Sequence, residues 1–439
     1  MNHKIRILVI TFLPWRGDNS IGNSYSNIFR GMTEDKYEFA QVYFRNGMPQ
    51  NDLVHKYYHV SEMDMIKAWF KPNTKVGRYF YLEDSTDMQE DKFSSAYNMV
   101  RMLRWPIFFC IRELAGLKDS WKTKDFDNFI DQFNPDIVFG TLSQAPAINR
   151  MMWYVSKKKN IPLITYPWDD YYSLDHSNFS PVFWFRKWYT RHFLRKTAIR
   201  SDFMYCISNL MIDEYSKEFK QDCRLLFKGY DFDREREIKR DSGGAKKIIF
   251  MGNIGQGRWK TLARLAEAVK RVNEKIGSQY FLVDIYTLSP KNAQIEEALN
   301  IPNVCILNPP VPNDKVLATM NEADVLVHAE PLEKTEIQFF RASFSTKLVD
   351  YFYNAKCILA IGGMTASTDY LLRNDAAIVV SKNESIEDKL LEIANNPNIL
   401  YEYAQKSWDC GVRNHQIKEI QSRMYNDFVN AIKQHKPKF

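Results

Sequence analysis

KKIIFMGNIGQGRWK, residues 246–260, decides the fold. Ile248 to Met251 is a short apolar run of the kind that forms a buried parallel strand. Gly252, Gly255 and Gly257 follow it, and Arg258 and Lys260 lead into a helical pattern that runs to about Ile276. Strand, glycine loop, helix is the opening unit of a doubly wound α/β sheet, where ligands sit beyond the carboxyl ends of the strands. Glycines let backbone N–H groups approach an anion, a helix N-terminus favours negative charge, and cations there grip a diphosphate. The bland alternative is a glycine turn with solvated basic residues, and the local pattern fits both.

The unit recurs on both sides. Toward the C-terminus, YFLVDIYT (280–287), NVCILN (303–308), ADVLVHAE (323–330), KCILAIGG (356–363) and AAIVV (376–380) read as strands, with a helix over 347–353. In the first half, Ile5 to Phe12 is a strand, the loop after it carries Gly17 and Gly22, and Tyr25, Ile28, Phe29 and Met32 mark a helix. Residues 37–44, DIVFG (136–140), LITY (163–166) and FMYCIS (203–208) are further strands. Residues 46–92 read as irregular, and 93–117 as a helix kinked at Pro106. The charged stretch 236–247, with Gly243 and Gly244, marks a boundary. The expected architecture is α/β: two Rossmann-like domains with parallel sheets, 1–235 and 240–410, and a tail over 411–439 whose helix returns to the first domain.

Composition narrows the function classes. The 439 residues suffice for two cores, and 45% are apolar. A net charge of +7 suits polyanionic ligands or an acidic membrane surface and is too diffuse to argue for nucleic acid. Six cysteines without CxxC spacing point to a reduced, cytoplasmic protein. The N-terminal MNHKIRILVITFLP reads as a strand, not a leader. No stretch approaches the roughly 20 apolar residues that span a bilayer, so any membrane association is peripheral. His55 and His59 have metal-compatible spacing without an evident third ligand, and no metal site is expected.

SFSTKLVDYFYNAKCILAIGG, residues 343–363, is the second informative stretch. Ser343, Ser345 and Thr346 are good helix caps, which would turn the following amides outward toward a phosphate. Asp350 lies one turn in, where a carboxylate can accept both hydroxyls of a ribose. An ordinary capped helix, with Asp350 complementing the dipole and Lys347 solvated, is the competing reading.

With these residues in view, the chain resembles the bacterial GT-B glycosyltransferases, in particular the large retaining, family-4-like group active in polysaccharide biosynthesis. The Ser–x–Lys–Leu–x–Asp–Tyr segment at 345–351 is similar to that group's nucleotide signature. IIFMGNIGQGRWKTL is similar to its phosphate loop, NPPVPNDKVLATMNEADVLVHAE to its base-binding segment, and RSDFMYCIS and LLFKGYDFD to its interdomain elements. The likeness keeps order and spacing from about 195 to 380 and is weak over the first 150 residues. It implies two facing domains, a nucleoside-diphosphate sugar as donor with no further cofactor and no obligatory metal, and transfer of a glycosyl group to an acceptor hydroxyl. By the same resemblance, Lys260 and Arg258 act on the diphosphate. Gly252, Gly255, Gly257, Ser345, Thr346, Lys347 and Asp350 hold the donor, and Gly22 and Asp169 belong to the acceptor side.

Three departures stand out. Ala342 occupies the place of an acid that contacts the donor sugar in the resembled group, and Gly255 that of its usual arginine. The loop after LITY reads PWDD, with Trp168, Asp169 and Asp170, where a His often follows. A nucleotide-sugar-binding shell without chemistry and a GT-B-fold epimerase are therefore the competing hypotheses. Finally, VFWFRKWYTRHFLRKTAIR (182–200) carries no acid. Lys187, Arg191 and Arg195 form one helical stripe and Trp184 and Trp188, with Phe185 and Tyr189, another. The run fits either a core helix with a solvated basic face or a peripheral contact with an anionic membrane, alongside Trp105, Phe108, Phe109, Arg101, Arg104 and Arg112. A lipid-linked glycan acceptor at the inner face of the cell membrane is the expectation that joins these features.

Overall fold

The computed structural model describes residues 4–17, 20–32, 36–71, 73–81, 113–175, 179–233, 235–236, 238 and 243–437. Most of the expected helix over 93–117, with Arg101, Arg104, Trp105, Phe108, Phe109 and Arg112, lies outside the described residues. The chain forms two compact units, Met1–Leu226 with Glu419–Phe439, and Phe227–Lys418.

The first unit is built on a sheet of eight strands: β1 (Ile5–Thr11), β2 (Tyr37–Tyr43), β3 (Val54–His59), β4 (Arg78–Tyr81), β5 (Ile137–Gly140), β6 (Leu163–Thr165), β7 (Phe203–Cys206) and β8 (Cys223–Leu225), in spatial order β4-β3-β2-β1-β5-β6-β7-β8. Every pairing is parallel except that of β3 with β4. The run IRILVIT makes β1 the centre, because a strand covered by helices on both faces must be apolar on both. Ile7 stands opposite both Phe39 and Ile137. Thr123 caps the helix Lys124–Phe133, its hydroxyl accepting from the Phe126 amide at 3.1 Å, and that helix buries Phe126, Phe129, Ile130 and Phe133.

Two sequence expectations change here. Residues 46–92, read as irregular, contain β3, β4 and the helix Glu62–Phe70. VHKYYH hides its strand character because Lys56 sits among the apolar residues and pairs with Glu38 at 2.7 Å. The sheet is also not purely parallel, since β4 closes its edge antiparallel. The tail from Glu419 belongs to this unit. Phe428 is buried against Tyr37, Phe139 and Tyr205, and Asp427 accepts from Tyr205 Oη at 2.8 Å and from Arg224 at 2.7 Å.

The second unit carries a wholly parallel sheet of β9 (Lys246–Met251), β10 (Phe281–Tyr286), β11 (Cys305–Asn308), β12 (Val325–Ala329), β13 (Cys357–Gly362) and β14 (Ile378–Ser381). Their order is β11-β10-β9-β12-β13-β14. Chain order reverses between β9 and β12, which is the switch point where loops diverge and leave room for a ligand. The unit begins at Phe227, ahead of the charged boundary stretch, because Phe227 packs on Phe344 at 4.7 Å and on His415 at 4.9 Å.

Candidate functional site

The loop at the end of β9 depends on its glycines. Gly252 has φ +145°, and a Cβ there would fall 2.0 Å from Lys347 Nζ. The vacancy lets the Lys347 amine reach Met251 O at 3.1 Å. Burial, and Arg258 nearby, draw the Lys347 pKa down to about 8, while Glu330 and Asp350 act in the opposite sense. Gly257, at φ +84°, caps the helix Arg258–Ile276, and a Cβ on it would strike Glu336 Oε2 at 2.0 Å.

The loop closes on itself as well. Gly255 N donates to Asn253 Oδ1 at 2.6 Å, Trp259 N to Ile254 O at 2.9 Å and Lys260 N to Gly257 O at 3.0 Å. Arg258 turns back under the end of β12: Nε donates to Ala329 O at 3.2 Å, a second nitrogen to Glu330 Oε2 at 3.1 Å, and the guanidinium lies 3.7 Å from the Phe340 ring centroid. Lys260 is exposed and pairs with Glu336 at 3.2 Å.

Sequence reading missed Glu330, although a carboxylate directly after the apolar strand VLVHA is a legible signal. Its side chain is buried between Arg258 and His328, whose Nε2 lies 3.2 Å from Glu330 Oε1. Burial alone would raise the Glu330 pKa, but His328 and Arg258 outweigh it and hold the carboxyl below its ordinary value.

Asp350 sits in the helix Lys347–Tyr353 and is buried. Its Oδ1 accepts from Lys228 Nζ at 2.5 Å and from Tyr230 Oη at 2.6 Å, and Tyr230 stacks on Tyr353 at 4.2 Å. The expected caps need correction. Thr346 occupies the N-cap without a side-chain hydrogen bond, and the Ser345 amide donates to Ser367 Oγ at 2.9 Å. A tertiary partner has replaced the local cap. Ala342 is buried.

In the first unit, Gly22 lies in the helix Ser20–Phe29, and a Cβ on it would meet Arg16 O at 2.2 Å, so a close backbone crossing accounts for this glycine. Asp169 accepts from Tyr171 Oη at 3.2 Å. Its neighbour Asp170 is the more tightly bound, taking the amides of Tyr172 and Ser173 at 3.0 Å and Tyr215 Oη at 2.9 Å. Burial raises the Asp170 pKa, and these hydrogen bonds more than reverse it.

The helix Pro181–Arg200 buries part of the basic stripe and exposes part of the aromatic one, while Arg195 stays exposed. Lys187 is buried, with Nζ donating to Tyr171 O at 3.0 Å. Arg191 donates to Tyr172 O and lies 3.8 Å from that ring's centroid, and Arg195 pairs with Glu218 at 2.6 Å. Trp184, Phe185 and Trp188 face outward. Among the described residues no helix is long and apolar enough to cross a membrane.

No protein-family model matches the chain, and neither does any curated protein. Solved structures do match it. The Anabaena protein HepE, in complex with UDP-glucose, aligns with a TM-score of 0.60 at 9% identity, over 97% of this chain and 100% of its own. A glycosyltransferase from Rickettsia africae gives 0.60 at 13% identity, over 99% and 100%. TarM gives 0.62 at 9% identity, over 97% and 99%. At such identities the likeness is one of fold: two α/β units with parallel-dominated sheets, the architecture of the GT-B glycosyltransferases.

Proposed function

We propose that the protein is a glycosyltransferase that moves a sugar from a nucleoside-diphosphate sugar to an acceptor hydroxyl. The observation that supports it most is the cluster of cations at the switch point of the second sheet. Lys347 lies against Met251 O and Arg258 against Ala329 O, with Lys260 in the first turn of the adjoining helix. On this reading Gly252, Gly255, Gly257, Ser345 and Thr346 surround the diphosphate and Asp350 takes the ribose. The bond from the sugar's anomeric carbon to the diphosphate breaks, the acceptor oxygen bonds to that carbon, and the hydroxyl proton leaves with the diphosphate. Negative charge grows on the leaving group, where Lys347 and Lys260 stabilise it and Arg258 holds the loop in place. No metal takes part, and configuration is retained.

The donor is a UDP-sugar on this reading, since HepE is described with UDP-glucose and the E. coli trehalose-6-phosphate structure with UDP-2-fluoro glucose. The acceptor is a lipid-linked glycan of a surface polysaccharide, held by the first unit near Gly22 and Asp169. The protein then works from the cytoplasm as a peripheral membrane protein.

A thermal-shift series with UDP, GDP and their sugars tests the donor. A ligand at about 100 times its Kd adds roughly 2.7 kcal/mol of stability. Turnover assays with Lys260→Ala test the chemistry, and kcat should fall by more than KM rises. Absence of stabilisation by every nucleotide and nucleotide sugar removes the reading. Ala342 favours a second one, a nucleotide-sugar-binding protein without transfer, which donor binding with neither transfer nor hydrolysis would support.

A further inference from the structure

Two sequence-distant helices of the first unit expose aromatic residues beside one shared turn. In Pro181–Arg200, Trp184 is 40% exposed, Phe185 57% and Trp188 69%, while Trp69 and Phe70, ending Glu62–Phe70, are 47% and 83% exposed. Residues 113–118 join the two. Arg186 pairs with Glu113 and Tyr189 Oη donates to Glu113 O at 3.1 Å, while Trp69 Nε1 reaches Ala115 O at 3.5 Å and Lys118 Nζ reaches Ala68 O at 3.0 Å. Large aromatics left outside a well-packed unit mark a surface that something else covers.

Among the described residues, positive charge predominates beside this patch. Three carboxylates beside it pair with local cations, Glu113 with Arg186, Asp64 with Lys67, and Asp119 with Lys122 and Arg150. Lys71, Lys118 and Lys196 are exposed on the same elements, and no acid occurs between Pro181 and Arg200. Amphipathic indoles and phenyl rings flanked by lysines match the headgroup layer of an anionic bilayer, where rings sit at the acyl boundary and ammonium groups meet phosphate. We propose that Trp69, Phe70, Trp184, Phe185 and Trp188 form the face by which this protein docks on an anionic bilayer. This deepens the peripheral-membrane part of the function proposed above and rests on that part alone.

The full-length protein is mixed with vesicles of phosphatidylcholine, with and without phosphatidylglycerol. Binding is read by co-sedimentation and by the blue shift of tryptophan emission. Wild type binds the phosphatidylglycerol vesicles and is released by salt. Trp184→Gln, Phe185→Gln and Trp188→Gln together lower the partition coefficient on the order of tenfold or more, and Phe70→Gln lowers it in the same direction. UDP stabilisation stays as in wild type, so loss of docking is read apart from loss of the nucleotide site. Should the triple variant fail to fold, Phe70→Gln alone carries the test. Binding by the variants equal to wild type overturns the proposal, as does indifference of wild type to anionic vesicles. A concentration-dependent dimer that the triple variant abolishes, without vesicle binding, assigns the face to a second copy of the chain and overturns it too.

Discussion

The Lys228 ammonium lies 2.5 Å from Asp350 Oδ1, and both residues are buried. Desolvating two charges is costly, yet removing only one of them is worse, because the survivor stays buried without its counter-charge. Asp350→Asn should therefore lower the unfolding free energy by about 3–5 kcal/mol in urea titrations. Adding Lys228→Met should restore part of it. The folded double variant also tests the ribose assignment, with UDP affinity expected to drop by about 1.5–3 kcal/mol. Unchanged affinity takes Asp350 out of the nucleotide site.

Lys347 gives the nucleotide site a pH signature. Its folded pKa of about 8 lies below the ordinary 10.5, so between those values the unfolded chain binds more protons and stability rises with pH. A bound diphosphate favours the charged amine and raises that pKa. UDP binding near pH 8 to 9 should thus take up protons, seen as a calorimetric enthalpy that varies with the buffer's ionisation enthalpy. Lys347→Met should abolish the uptake. Equal proton uptake in wild type and variant would show that the diphosphate does not sit against this amine.

These residues show what the sequence could and could not convey. The strand–loop–helix at 246–276 was legible because its apolar run ends in glycines, and the left-handed φ of Gly252 and Gly257 is what the loop requires. The place of Asp350 followed from its spacing, but its partners Lys228 and Tyr230 lie 122 and 120 residues away, beyond any local rule. Capping logic failed at Thr346 because Ser367, on another helix, takes the Ser345 amide. The two stripes of Pro181–Arg200 were visible, but not which one faces inward. Long cationic side chains can bury their stems and still find carbonyls, as Lys187 does at Tyr171 O.

Glu330 couples stability to acid. Its folded pKa is depressed below the ordinary 4.5, so its contribution is full above that value and is lost as pH falls through the folded pKa. Arg258→Met removes the guanidinium that helps hold it ionised. The variant should lose about 3–5 kcal/mol near neutrality, and its deficit against wild type should narrow once the pH is low enough to protonate the carboxyl. Urea midpoints of both proteins across the acid range measure this. A deficit that stays constant would mean that Arg258 stabilises through packing on Phe340 and not through Glu330.

Two cations of the helix Pro181–Arg200, Lys187 and Arg191, should matter for stability and not for the membrane. Lys187 is buried, and its pKa is lowered first by burial and then by Arg191, with Asp170 and Asp175 pulling the other way. Arg191 covers the Tyr172 ring at 3.8 Å. Lys187→Met leaves Tyr171 O without its charged donor, which costs about 1–3 kcal/mol, and Arg191→Met loses a desolvated cation–π contact of up to about 2 kcal/mol. Both should lower the thermal midpoint. Well below that midpoint, both should bind phosphatidylglycerol vesicles as wild type does, because neither ammonium nor guanidinium reaches the outer face. The opposite pattern, weaker vesicle binding with the thermal midpoint intact, would put the basic stripe against lipid and reverse the assignment of the two faces.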